Sequence, residues 1–195
     1  ANRLSTKTLN LVQAKARELA KDSKYFSVLE VGCLIRQFYV LLGEESKLAQ
    51  PILGMYKTDF EMILETIFGI DAQYMIDRIF FVLDRNKDKH IGVDEWVETL
   101  GIFLRGDLND KSRYTFQIYD MNGDKSISIE EMYRFMKPQF PDISEFNFHY
   151  DVEYILDNVF KAMDYDRDGK LSYSDFQKAV QKDHMYLEVF EYLPD

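Results

Sequence analysis

Apolar residues recur along this chain at the spacing of helix faces, and the runs come in pairs around short polar blocks. Before the blocks stand Ile76, Ile79, Phe80 and Leu83, and later Val152, Ile155, Leu156, Val159, Phe160 and Met163. After them stand Trp96, Val97, Leu100, Phe103 and Leu104, and more briefly Met132, Phe135 and Met136. The sets follow the i, i+3, i+4, i+7 rule of an amphipathic helix. Gly106 and Pro138 supply stop signals. The predicted unit is helix, polar loop, helix.

The polar blocks are copies of one another. They read Asp84-Arg85-Asn86-Lys87-Asp88, Asp120-Met121-Asn122-Gly123-Asp124 and Asp164-Tyr165-Asp166-Arg167-Asp168, with carboxylates or amides at alternate positions. A phenylalanine stands four residues ahead of each (Phe80, Phe116, Phe160), and eleven residues after the first Asp comes an acid followed by a large apolar residue, as Glu95-Trp96, Glu131-Met132 and Asp175-Phe176. Stepping the first interval back from 84 predicts an earlier loop at 48–59, which ends in Asp59-Phe60 but holds Leu48, Gln50 and Ile52 at the ligand positions. That first unit has a helical frame, with Leu34 to Leu42 entering and Phe60 to Phe68 leaving, and no means of holding an ion. A longer final interval places a linker between Pro138 and Tyr150. A leading helix within 1–24 and a tail helix from Met185 to Leu193 complete the pattern. The expectation is an all-α chain of two lobes, 25–106 and 107–183, each a pair of units, followed by a tail at 184–195.

A 12-residue loop offering oxygens from positions 1, 3, 5, 7, 9 and 12 suits calcium, a hard cation that takes six to eight oxygen ligands. The candidate set is Asp84, Asn86, Asp88, the carbonyl of His90 and Glu95 in the second loop. In the third it is Asp120, Asn122, Asp124, the carbonyl of Ser126 and Glu131. In the fourth it is Asp164, Asp166, Asp168, the carbonyl of Lys170 and Asp175. Position 8 is Ile91, Ile127 or Leu171, apolar as needed for neighbouring loops to pair by a short strand. Position 6 calls for positive φ; it is Gly169 in the fourth loop but Lys89 and Lys125 in the others, at a cost of roughly 1–2 kcal/mol each. Asp175 is one methylene shorter than glutamate, so the fourth loop also admits magnesium in a six-coordinate site. Three histidines, His90, His149 and His184, have no zinc-spaced companions and read as surface residues, and Cys33 reads as core.

Charge and composition narrow the function. With 34 acidic against 24 basic residues, a net charge of −10 excludes a nucleic-acid binder, which needs a positive footprint. At 46% apolar content the chain can build a real core. A single cysteine forms no internal disulfide, which points to an intracellular setting. No run of apolar residues reaches a membrane span, and the Ala1-Asn2-Arg3 start carries no myristoylation glycine, so no membrane anchor is expected. Apart from the loops there is no nucleophile or acid–base pair that would make an enzyme.

The loop signatures identify an EF-hand protein. Together with the degenerate first unit and the long last interval, they resemble the neuronal calcium sensor group over residues 25–193. The runs Glu30-Val31-Gly32-Cys33-Leu34-Ile35, Asp77-Arg78-Ile79-Phe80, Phe103-Leu104-Arg105-Gly106 and Asp120-Met121-Asn122-Gly123-Asp124 resemble in particular the axonemal sensors of cilia and flagella. That resemblance implies a monomeric, cytoplasmic protein of the axoneme. It also implies calcium-dependent binding to the outer-arm dynein heavy chain and to microtubules. A calcium buffer, or a calcium-independent subunit of another enzyme, is the competing reading of the same loops.

Overall fold

The computed structural model describes residues 6–21, 23–43, 54–70, 72–136, 154 and 157–188. Its helices are α1 (Thr6–Ala20), α2 (Val28–Leu41), α3 (Lys57–Phe68), α4 (Gln73–Leu83), α5 (Val93–Arg105), α6 (Leu108–Tyr119), α7 (Ile129–Met136), α8 (157–163), α9 (Tyr173–Lys182) and α10 (Met185–Glu188). Two three-residue strands, β1 (Ser126–Ser128) and β2 (Lys170–Ser172), make the sheet present among the described residues. The expected all-α fold is what forms. Leu48 to Ile52 and the linker between Pro138 and Tyr150 lie outside the described residues, as do the tail beyond Glu188 and His149.

Helix starts follow the sequence chemistry. Ser27 caps α2: its hydroxyl accepts from the Glu30 amide at 3.4 Å, and the Glu30 carboxylate returns the bond to the Ser27 amide at 2.8 Å. Asp107 caps α6 in the same reciprocal way with Asp110, and the Ser172 hydroxyl caps α9 by accepting the Asp175 amide. The structure divides into two units, residues 1–71 with 83–106 and residues 72–82 with 107–195. The lobe expected at 25–106 therefore lacks 72–82: most of α4, the entering helix of the second loop, packs with the third and fourth hands.

In the first unit, Val31, Ile35, Phe38 and Tyr39 form the buried stripe of α2, and the Phe38 and Trp96 rings lie 6.1 Å apart. Gly32 of α2 faces Ala16 of α1. Cys33 is exposed, against the expectation of a core residue, because it stands on the helix face opposite that stripe. Gly101 in α5 lies against Tyr25, leaving no room for a side chain there. At the end of α5 the Arg105 guanidinium donates to the Tyr25 carbonyl at 2.8 Å, pairs with Glu30 and covers the Phe26 ring.

In the second unit Phe116, Tyr119, Phe135, Phe160, Met163 and Phe176 fill the interior, with Tyr119 and Phe135 rings 4.3 Å apart and Phe116 and Phe176 rings 5.8 Å apart. Met132 and Met163 are fully buried within it. The start of the tail helix, α10, packs on α9 and buries Leu187.

Candidate functional site

The loops pair as their apolar eighth positions require. Ile127 and Leu171 are partners in the antiparallel β1–β2 ladder. In the first unit Ile91 bridges Met55, whose position in the predicted 48–59 loop is also the eighth, with N–H to O distances of 2.9 Å in both directions. The degenerate first loop thus keeps its structural role, and Asp59 keeps its place by accepting the Tyr56 amide at 3.2 Å.

Each of the other loops is wound around its first aspartate. Asp84 accepts the amides of Asp88 (3.1 Å) and Lys89 (3.0 Å). Asp120 accepts those of Gly123 (2.8 Å) and Lys125 (3.0 Å). Asp164 accepts those of Arg167 (2.6 Å), Asp168 (3.2 Å) and Gly169 (2.9 Å). The sixth residue donates in all three, and to do so it takes positive φ: 70° at Lys89, 68° at Lys125 and 80° at Gly169. The two lysines therefore adopt the left-handed turn that the sequence demanded of them. Position 4 does the same, through Lys87, Gly123 and Arg167, a requirement that spacing alone did not reveal. In each loop the side chain at position 3 accepts the amide of position 5. Asn86 accepts the Asp88 amide at 2.9 Å, Asn122 the Asp124 amide at 2.7 Å and Asp166 the Asp168 amide at 3.3 Å.

The twelfth position separates the loops. In the second, one Glu95 oxygen accepts the amides of Arg85 (2.9 Å) and Asn86 (3.3 Å) while the other accepts that of Gly92 (2.9 Å). In the third, Glu131 repeats this with Met121 (2.9 Å), Asn122 (3.2 Å) and Ser128 (2.9 Å). Both carboxylates are buried and span from the exiting helix to the start of the loop. Asp175, equally buried, bonds Ser172 and does not reach the amides of Tyr165 and Asp166.

Electrostatics fit a divalent cation. The carboxylates of Asp164, Asp166 and Asp168 converge, with ligand oxygens within 4.8 Å of one another. Burial pushes the Asp166 carboxyl up, and the neighbouring Asp168 and Asp175 charges add to this. Burial also raises Asp164, but its bonds from Gly169 and Arg167 prevail and hold it low. A hard cation resolves such crowding. In the third loop the Lys170 ammonium, 2.8 Å from Asp124, and the Ser126 hydroxyl hold the Asp124 carboxyl well below the usual range. The side chain of Lys170, expected to offer only its carbonyl to the fourth loop, thus touches the third. His90 is not the plain surface residue expected: its ring lies 4.4 Å from that of Tyr56, Nδ1 is 2.8 Å from the Asp88 carbonyl, and Nε2 is buried with no hydrogen-bond partner among the described residues. His184 is exposed.

Comparisons with known proteins agree with this geometry. Residues 110–181 match the family described as EF-hand domain pair. The chain is 40% identical to calaxin of Danio rerio, over 95% of this chain and 89% of that protein. It is 37% identical to calaxin of Homo sapiens, over 91% and 84% respectively. Guanylyl cyclase-activating protein 1 of Lithobates pipiens is 34% identical over 65% of this chain and 60% of its own length.

Proposed function

Because this chain belongs to the calaxin family of EF-hand proteins, and is therefore a calcium sensor and not an enzyme, we propose that it switches a partner of the ciliary or flagellar axoneme, the outer-arm dynein heavy chain, by taking up calcium in the loops 84–95, 120–131 and 164–175. It also binds microtubules, as a cytoplasmic monomer, and its output is the beat of the cilium. The observation that supports the reading is the shared winding of three loops, in each of which the amide of the sixth residue donates to the first aspartate.

In this reading Asp84, Asn86, Asp88 and Glu95 hold the ion in the second loop with the His90 carbonyl. Asp120, Asn122, Asp124 and Glu131 do so in the third with the Ser126 carbonyl. Asp164, Asp166, Asp168 and Asp175 do so in the fourth with the Lys170 carbonyl. Calcium supplies a compact double charge that accepts six to eight oxygens. Glu95 and Glu131 each tie an exiting helix to the start of its loop, so any change in how they are held changes the angle between the flanking helices. Met132, Phe135, Met163 and Phe176, all fully buried, are the apolar surface such a change offers to a partner helix. The short reach of Asp175 favours magnesium in the fourth loop when calcium is low.

The test is recovery of dynein heavy chain from axonemal extract on the immobilised protein, in calcium and in chelator. Recovery in calcium alone is expected. Equal recovery in both would mean a constitutive subunit, and no recovery with no gain in hydrophobic-dye binding would mean a buffer.

A further inference from the structure

Most of α4 packs with the third and fourth hands, and two of its side chains reach both helices that flank the third loop. The Arg78 guanidinium donates to the carbonyls of Gln117 and Asp120, both at 2.7 Å, of Ile118 at 3.0 Å and of Met121 at 3.4 Å. These belong to the last turn of α6 and the first two residues of the loop, where a helix end leaves carbonyls without intrahelical partners. One turn earlier, the Tyr74 hydroxyl donates to the Phe135 carbonyl in α7 at 2.9 Å, with the two rings 5.3 Å apart. At its other end α4 runs directly into Asp84, the first residue of the second loop.

We propose that α4 links the second and third loops, with Arg78 as the positioning residue, so that an ion in one loop changes the affinity of the other; this rests on reading both as calcium sites. The physical reason lies in the two anchors. If α7 turns relative to α6, α4 cannot keep both the Arg78 bonds to α6 and the Tyr74 bond to α7. Keeping the Tyr74 bond draws α4, and Asp84 at its end, away from the carbonyls that Arg78 holds; keeping the Arg78 bonds resists the turn of α7. Linkage makes the effect reciprocal between the loops. Lysine at 78 would keep the charge but lose the fork that spans four carbonyls.

The chain's one tryptophan, Trp96, directly follows Glu95, so its fluorescence reports the second loop. Calcium titrations of the full chain should show that Glu131→Gln, which cripples the third loop, shifts the Trp96 midpoint by about fivefold or more, at the lower end of measured couplings. In an Arg78→Lys background the same substitution should shift it less than about twofold. Should Arg78→Lys fail to fold by circular dichroism, Tyr74→Phe, which deletes only the bond to α7, takes its place with the same expectation. A midpoint unmoved by Glu131→Gln, or a shift as large with Arg78 replaced as without, overturns the link alone. Absence of calcium uptake by calorimetry in the parent overturns the link together with the calcium reading.

Discussion

Lengthening Asp175 to glutamate should turn the fourth loop into a stronger and more calcium-selective site. At the same position Glu95 and Glu131 reach two amides at the start of their loops, at 2.9 and 3.3 Å and at 2.9 and 3.2 Å, whereas Asp175 stops at Ser172. Glu95 and Glu131 occupy this position at 4% and 7% exposure, as buried as Asp175 at 4%. A hydrogen bond to a charged acceptor is worth about 1.5–3 kcal/mol when buried. The second bond is long and the amides are only partly buried, so the pair contributes roughly 2 kcal/mol to holding the closing arm in place. At 1.4 kcal/mol per decade this corresponds to calcium binding tighter by roughly 10–30-fold. Magnesium, which keeps its octahedral shell and gains little from a bidentate acid, should change by less than about threefold. The assay is calorimetry on Asp84→Asn/Asp120→Asn protein, in which the fourth loop alone remains, with and without Asp175→Glu. Unchanged calcium affinity, or equal gains for the two ions, would refute the idea that reach at position 12 sets this loop's metal preference.

Two further outcomes concern the first unit. Gly101→Ala places a Cβ 2.3 Å from Tyr25 Cδ2. Helix propensity alone favours alanine by about 1 kcal/mol, but overpacking costs about 1–3 kcal/mol, so the melting temperature should fall by a few degrees; an unchanged or raised value would show that the contact yields freely. The Arg105 guanidinium, with help from Ser27, draws the Glu30 carboxyl from its ordinary 4.5 down to about 2. Its contribution is therefore complete above about pH 4.5 and is lost as pH falls towards 2. Urea midpoints of the parent should decline more steeply across that window than those of Glu30→Gln, and parallel curves would discount the pair.

The paired helices, the wound loops and the strand-forming eighth positions were legible because each is written locally, in apolar spacing or in oxygens at alternate positions. The bridge between Met55 and Ile91 could be anticipated even in a unit that has lost its ligands, since register needs only an apolar residue at the right step. What the sequence concealed concerns partners. Periodicity shows that Ile76 and Phe80 face a core but not which one, so the grouping of 72–82 with the third and fourth hands was invisible. His90 is half-buried against Tyr56, which belongs to another hand. Cys33 is apolar by residue type yet exposed, because helical spacing sets it opposite the stripe of Val31, Ile35, Phe38 and Tyr39. Lys89 and Lys125 show the reverse case: loop closure on Asp84 and Asp120 imposes positive φ against residue preference.

The most direct test of the account is a count of calcium ions bound per chain, by calorimetry on metal-stripped protein, for the parent and for Asp84→Asn, Asp120→Asn and Asp164→Asn. The loop geometry predicts three ions in the parent and the loss of one in each variant. No uptake at millimolar calcium, or variants that bind as the parent does, would contradict it.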